Sequence, residues 1–486
     1  MIYDTLIGKA QIVDGSNSAI FRAEVAIREG MITLLPEGST PEARQVIDAT
    51  GLHLAPGFID VHTHDDTNVI KTPHMLAKLS QGVTTVITGN CGISAAGARL
   101  RGAPPDPMNL LGEQPDFRYP TFAAYAQAVE RARPNINVGS LIGHTTLRNN
   151  VMDDLLRTAS QDEITIMRQQ LRQALQQGAL GLSSGLAYGN ANAASTEEVL
   201  ALASELISLG GIYTAHLRTE FDGIIEALDE AFAIAQAGKA PLVVSHLKCA
   251  GAGNWGRSEE ILQHLELAAR HQSIACDCYP YTASSSTLDL KQVTSDNDIF
   301  ITWSGPHPEQ SGKMLADIAA GWQLSLEETA RKLMPAGAVY HCMHDADVEN
   351  ILRWPHTMIG SDGLPNDPHP HPRLWGAFPR VIGFYARERG LFSITTAIHK
   401  MTGLSAARFQ LEKRGLIANG YHADLVLFNA DTIRDTASWD QPISAAAGIE
   451  KVWVNGQLSF SGQQPLDSRA GQFLYRKAEL RSAAAF

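Results

Sequence analysis

Apolar residues gather in eight short runs, most of them followed by a stretch with helical spacing. The runs are GFIDVHTH (57–64), GVTTVITGN (82–90), INVGSLIGH (136–144), ALGLSSGL (179–186), GIYTAHLR (211–218), PLVVSHLK (241–248), SIACDCYPY (273–281) and TMIGSDGL (357–364). Several are rich in Val, Ile and Thr and bounded by Gly or Pro, as strands buried on both faces are. Between them, DGIIEALDEAFAIAQAG (222–238) sets Ile224, Leu228, Ala231 and Ala235 along one helical stripe. STEEVLALASELISLGG opens with Ser195 and Glu198 at the spacing of a capping box. Eight strands alternating with helices predict an α/β fold, a (β/α)8 TIM-like barrel over residues 56–411.

The ends follow another pattern. Residues 1–55 and 412–486 alternate short apolar runs with turns, as in AEVAIREGMITLL and KVWVNGQLSFSG. Asn455-Gly456 sits between two such runs as a hairpin turn would. These segments predict a small flanking β-domain built from both termini. Residues 284–345, between the seventh and eighth runs, are too long for a simple βα loop. They predict an insertion at the catalytic end, a candidate lid.

Composition narrows the class. The chain has 486 residues, 44% apolar and 19% charged, the make-up of an ordinary globular protein. A formal charge of −12, spread along the chain, argues against nucleic acid, whose phosphates need a basic face. No apolar run approaches the roughly 18 residues a membrane span needs, and MIYDTLIGKAQIVDGS lacks the pattern of a secretory signal. Five cysteines are too few for a disulfide framework at this length. The expectation is a cytoplasmic protein with no membrane partner. The sequence gives no oligomeric state and is compatible with a monomer.

In a (β/α)8 barrel the active site forms at the C-terminal ends of the strands. His62 and His64 end the first run one residue apart, and alternate side chains along a strand share a face. Cys91 follows the second run, His216 lies at the end of the fifth, His246 of the sixth and Asp362 of the eighth. An isolated His-x-His is more often a hydrogen-bonded pair in a loop. Six potential ligands converging on one rim predict a metal site instead. Thiolate and imidazole together favour zinc.

This arrangement, with His-x-His on strand one, histidines on strands five and six and aspartate on strand eight, resembles the amidohydrolase superfamily. Most binuclear members bridge their metals with a carboxylated lysine or a glutamate, where this chain offers Cys91 in GVTTVITGNCGIS. Together with YTAHLRTE, VVSHLK, DCYPY and IGSDGLPNDPHPHPRLWG, that motif resembles the D-aminoacylase family, the N-acyl-D-amino-acid deacylases, over nearly the whole chain. The resemblance implies zinc-dependent hydrolysis of the amide of a small N-acyl-D-amino acid. It implies one tightly held zinc on Cys91, His216 and His246. A second, weaker site would use His62 and His64 with Cys91 as a bridge, and Asp362 would serve as general base and acid. The handedness of the substrate rests on the resemblance alone.

The carboxylate of such a substrate needs a cation. Arg373 in PHPRLWG is the candidate, since a guanidinium pairs bidentately with a carboxylate. Lys248, Tyr279 and Ser285 join it, and all four match the family's substrate contacts. Tyr188 and His144 are further candidates for the pocket wall, and Glu220 for a group orienting a ligand histidine. Cys276-x-Cys278 reads as ordinary strand residues, since no second pair accompanies it. His369 and His371 read as a loop supporting Arg373. ASSSTLDLKQVTSDNDIF offers only Lys291 against three aspartates, which favours neutral or apolar D-side chains. The alternatives are a cyclic-amide hydrolase of the hydantoinase or dihydroorotase kind, against which Cys91 argues, and a non-catalytic barrel, against which the complete ligand set argues.

Overall fold

Eight parallel strands form the centre of the computed structural model, which describes residues 2–477. They are β1 (Phe58–Asp60), β2 (Val83–Thr88), β3 (Asn137–Ser140), β4 (Gly181–Gly185), β5 (Ile212–His216), β6 (Leu242–Val244), β7 (Ile274–Cys278) and β8 (Thr357–Ile359). Neighbours pair in chain order, with Ile142–Gly143 continuing β3 onto β4. The ring closes through a parallel bridge between Thr63 and Gly363. There the His64 N–H donates to Gly363 O at 3.1 Å and the Asp362 N–H to His62 O at 2.7 Å. Closure therefore falls between the His-x-His pair and the aspartate.

Period-two alternation explains the apolar runs. Ile59, Ile87, Leu141, Leu180, Ile212, Val243, Ala275 and Met358, one from each strand or its edge, form a core of their own with Phe409 and Leu411. This is the filled interior of a barrel. The opposite strand faces, including Phe58, Val86, Val138, Leu182, Tyr213, Val244 and Cys276, belong to a second core that also takes in the helices. Helix Ile224–Ala237 buries Ile224, Leu228, Ala231 and Ala235, the stripe read from the sequence. The expected capping box at Ser195 is only half made. Ser195 Oγ accepts the Glu198 N–H at 3.2 Å, but the Glu198 carboxylate binds His144 Nε2 at 2.8 Å and Arg148 Nη1 at 2.7 Å. A buried guanidinium is a stronger partner for a carboxylate than a backbone amide.

Strands from both termini pair beside the barrel. Leu425–Phe428 and Ile449–Val454 share a sheet with His53–Pro56 and Gln11–Ile12, and a second sheet holds Tyr3–Gly8, Glu24–Arg28, Met31–Leu35 and Ala43–Asp48. Leu425 and Leu427 pack with Ile7, Val25, Ile27 and Trp453 between these sheets, while Val426 and Phe428 pack onto the barrel's outer core. One strand thus seals two cores, one with each face.

The end of the chain departs from the small β-domain predicted over 412–486. The Val138 N–H donates to Gln472 O at 2.9 Å and the Leu474 N–H to Val138 O at 2.8 Å. Phe473 packs edge-on against Phe122 and Tyr125. β3 pairs only with β2, because its continuation turns to β4, so a free strand edge accepts the tail. Residues 478–486 of that arm lie outside the described residues.

Between β7 and β8 the insertion folds on itself. Ser284–Thr287, Ile299–Ser304, Lys313–Met314 and Ala336–Tyr340 make an antiparallel sheet, packed with helices Leu315–Trp322 and Leu326–Leu333. No described helix is long and apolar enough to cross a membrane.

Candidate active site

A cavity of about 460 Å³ opens at the C-terminal ends of the strands. Its walls include Tyr188, His216, Glu220, His246, Lys248 and Asp362 from the barrel, and residues 284–289 and Tyr340 from the insertion. Of the six residues singled out as metal ligands, His216, His246 and Asp362 line it, and His62, His64 and Cys91 meet them there from behind the wall. His62 Nε2 lies 3.1 Å from Cys91 Sγ, which lies 3.4 Å from His246 Nε2. His246 Nε2 is 2.9 Å from His216 Nδ1. Asp362 Oδ1 is 3.1 Å from His64 Nε2 and 3.4 Å from His62 Nε2. The ligand atoms of His62, Cys91, His246 and Asp362 all lie within 4.8 Å of one another, and those of His216, Glu220 and His246 do so as well.

The backbone is bent to make this possible. Cys91 (φ 55°), His246 (φ 36°) and Asp362 (φ 47°) are all left-handed, a conformation costly for non-glycine residues and common where a site over-determines the chain. Glycines clear the space. A Cβ on Gly185 would sit 2.1 Å from Cys91 O, and Gly92 (φ 75°) would bring one within 2.7 Å of Gly185 N. NCG and SSGL are therefore two sides of one close backbone contact.

Carboxylates aim the imidazoles. Asp277 Oδ2 takes His62 Nδ1 at 3.2 Å and its Oδ1 accepts the His246 N–H at 3.0 Å. Glu220 Oε1 takes His246 Nδ1 at 2.9 Å. Both leave Nε2 lone pairs facing Cys91, the arrangement in which a histidine serves a metal. Burial alone pushes the Cys91 thiol up, but His62 and His246, with hydrogen bonds from His216 and His246, outweigh it and hold the thiol well below its ordinary value. Burial likewise pushes Asp362 up, while Arg373, His62 and the His64 hydrogen bond hold it well below the usual carboxylate range. A thiolate, four imidazoles and a carboxylate make a donor set suited to zinc.

Beside the metal pocket lies a cationic one. Arg373 is fully buried. Its Nη2 pairs with Asp362 Oδ2 at 2.9 Å and donates to Ser285 O at 3.0 Å, and its guanidinium stacks 4.4 Å over the Tyr279 ring. Arg373 Nε and Nη1, Tyr279 OH and Ser285 Oγ are buried without partners. Lys248 Nζ is bound to Glu220 at 2.6 Å. The ring of Tyr188 packs 4.7 Å from that of His216. The loop reading of His371 matches its bonds: its Nδ1 accepts the Arg373 N–H at 2.9 Å and its Nε2 donates to Ala283 O at 2.9 Å.

His144 does not line the cavity. It opens helix His144–Val151, fully buried, with its ring turned to the Glu198–Arg148 pair. That pair also anchors the chain through Arg148 Nη2, which donates to Leu155 O and Arg157 O. A buried ion pair needs every remaining polar partner it can find, and His144 supplies one. Two residues escaped the sequence reading. Asp277 shares its strand face with Ala275, which lies in the barrel interior, so strand parity alone pointed it to the rim. Lys78 gave no such signal.

With the geometry defined, relatives become informative. The sequence pattern of the amidohydrolase family matches residues 45–297 and 314–460. The chain belongs to the amidohydrolase family. This amidohydrolase is 44% identical over 476 residues to a D-aminoacylase of Alcaligenes xylosoxydans xylosoxydans, covering 98% of each chain. It is 45% identical over 472 residues to an N-acyl-D-aspartate deacylase of the same organism, covering 97% of this chain and 95% of that one. It superposes with a TM-score of 0.94, at 43% identity, on an N-acyl-D-glutamate deacylase from Bordetella bronchiseptica solved with zinc and a phosphonate mimic of the tetrahedral intermediate. That match covers 98% of this amidohydrolase and 100% of its counterpart.

Proposed function

We propose that the protein hydrolyses N-acyl-D-amino acids to a carboxylate and a free D-amino acid. One observation carries this reading: Asp362 touches both pockets, through His64 at 3.1 Å and Arg373 at 2.9 Å. A substrate whose carboxylate is held by Arg373 therefore places its amide beside the metal pocket. Cys91, His216 and His246 would hold the tight zinc, and His62 and His64, with Cys91 between, a weaker second ion. Zinc, when bound, supplies a Lewis acid for the acyl carbonyl and lowers the pKa of water. Asp362, held as an anion, accepts a proton from the water that attacks the acyl carbon, then delivers it to the nitrogen as the C–N bond breaks. Arg373, Tyr279 and Ser285 offer four unpartnered donor atoms to the α-carboxylate.

At nearly equal identity, one relative is named for D-amino acids in general and two for acidic ones, so the pocket has to decide the side chain. Two of its lining cations are committed, Lys248 to Glu220 at 2.6 Å and Arg218 to Glu230 at 2.7 Å, which leaves Lys291. Asp106 and Asp289 line the same cavity, with exposed Lys291. This supports neutral or apolar side chains over acidic ones. Five buried, unpaired cysteines support a reducing, cytoplasmic setting.

The test is racemic N-acetylmethionine with the zinc-replete protein. Free D-methionine, with the L-derivative intact, is the expected result. Release of L-methionine would overturn the stereochemical reading. N-acetyl-D-glutamate cleaved in preference to the D-methionine derivative would overturn the side-chain reading.

A further inference from the structure

Lys78 is fully buried and bonds to no metal ligand through its side chain, yet its partners flank His62 and His64 on both sides and precede Asp362 by one residue. It lies in the short helix Leu76–Leu79 before β2. Its Nζ donates to Asp60 Oδ2 at 2.7 Å, Thr63 Oγ1 at 3.0 Å and Ser361 Oγ at 3.0 Å, and lies 3.1 Å from Asp65 Oδ2. All three ammonium protons are used. The partners are themselves joined. Ser361 donates its hydroxyl to Asp60 Oδ2 at 2.6 Å and its N–H to Asp60 Oδ1 at 2.9 Å, and Thr63 Oγ1 donates to Asp65 Oδ2 at 2.6 Å. The Gly363 N–H closes the network onto Ser361 Oγ at 3.1 Å.

The placement is selective. Asp60 lies two residues before His62, Thr63 between His62 and His64, Asp65 just after His64, and Ser361 just before Asp362. Lys78 thus grips the half of the site contributed by β1 and β8, across the bridge that closes the barrel. None of its bonded partners adjoins Cys91, His216 or His246, the other half. A buried lysine between two carboxylates is weak evidence of stability in itself, since an apolar replacement is often tolerated. Full satisfaction by partners that adjoin or bracket each ligand of one half argues for geometry instead.

We propose that Lys78 is a positioning residue: it sets His62, His64 and Asp362 in register with the zinc half of the site. The kinetic part of the test rests on the hydrolase reading above; the metal part does not. The experiment compares the zinc-loaded full chain with Lys78→Met and Ser361→Ala. Zinc retained after dialysis reports the tight site, and calorimetric titration with further Zn²⁺ reports the His62–His64 side. Kinetics on N-acetyl-D-methionine separate kcat from KM.

Lys78→Met should keep one equivalent of zinc and a KM within about threefold of the parent, since Arg373 and Tyr279 are untouched. Its kcat should fall at least 30-fold, and the second zinc should bind at least tenfold more weakly. Unchanged kcat and second-zinc affinity would overturn the proposal. So would a joint fall of kcat, KM performance and retained zinc, which marks a purely structural role. If Lys78→Met does not fold, Ser361→Ala decides. It keeps both ion pairs and removes one bridge, and should lower kcat about fivefold while weakening only the second zinc; parent-like behaviour would refute the clamp. Were the parent chain inactive on every N-acyl-D-amino acid, the hydrolase reading would fail, and the second-zinc titration would still judge Lys78.

Discussion

The two pockets that share Asp362 are built on opposite terms. On the metal side, His62, Cys91, His246 and His216 form an unbroken chain of contacts of 2.9–3.4 Å. On the carboxylate side, Arg373 Nε and Nη1, Tyr279 OH and Ser285 Oγ are buried with nothing to bond. The difference is one of chemistry. A thiol and imidazoles each donate or accept according to protonation, so metal ligands can satisfy one another. A guanidinium only donates, and the hydroxyls of Tyr279 and Ser285 beside it do not accept from it. An anion pocket therefore reveals its ligand through unsatisfied donors, while a metal pocket reveals its own through crowding.

The sharpest way to break the comparison is at the residue common to both sides. Asp362→Ala should lower kcat by about 10³–10⁴ while zinc content stays at the parent level. KM should stay level or fall, because Arg373 loses its competing carboxylate. Steady-state kinetics with metal analysis check this, and substantial residual turnover would remove Asp362 from the chemistry.

Arg373→Lys isolates the carboxylate side. A point charge cannot reproduce the fork, so kcat/KM should fall about 10²-fold, chiefly through KM, with zinc binding unchanged. A fall confined to kcat would place Arg373 with the metal chemistry instead.

The smallest effect concerns acid. His371 is neutral in the folded chain, since burial and the Arg373 charge hold it well below its ordinary value. As pH falls below about 6.5, the unfolded chain takes up the proton first. The contribution is therefore complete above that pH and drains away below it, by up to about 1.4 kcal/mol per pH unit for this one proton. Thermal unfolding between pH 7 and 5 should show the loss. His371→Gln, which can accept from Arg373 and donate to Ala283 without titrating, should show less of it. An equal slope in both proteins would assign the acid loss elsewhere.

How much of this the sequence made legible depends on how local the cause is. Barrel strands are apolar on both faces, so TTVIT and LVV stand out as unbroken runs. Ligands stand out because Cys and His are uncommon residues and strand ends are marked by glycine. His144 looked like the same signal and was not. It begins a helix, and its ring follows Glu198 and Arg148, 54 and 4 residues away. Glu198 itself fitted a capping box until a buried arginine claimed its carboxylate. The tail at 472–474 could not be placed, because the strand edge it fills exists only once β3 has turned from one neighbour to the other. Lys78 was the least visible, a lysine among helical residues whose partners come from the end of β1, the loop after it and the loop after β8.

Barrel closure at Thr63–Gly363 has a consequence for biosynthesis. During translation, His62, His64, Cys91, His216 and His246 have all been made before residue 357, and Asp362 comes last. The bonds that shut the ring are the same ones that fix Asp362 against the histidines. A nascent chain can thus hold those five side chains yet lack Asp362 and the pairing that closes the barrel. The carboxylate proposed to carry the proton takes its place as the barrel closes, before the strands Leu425–Phe428 and Ile449–Val454 have been made.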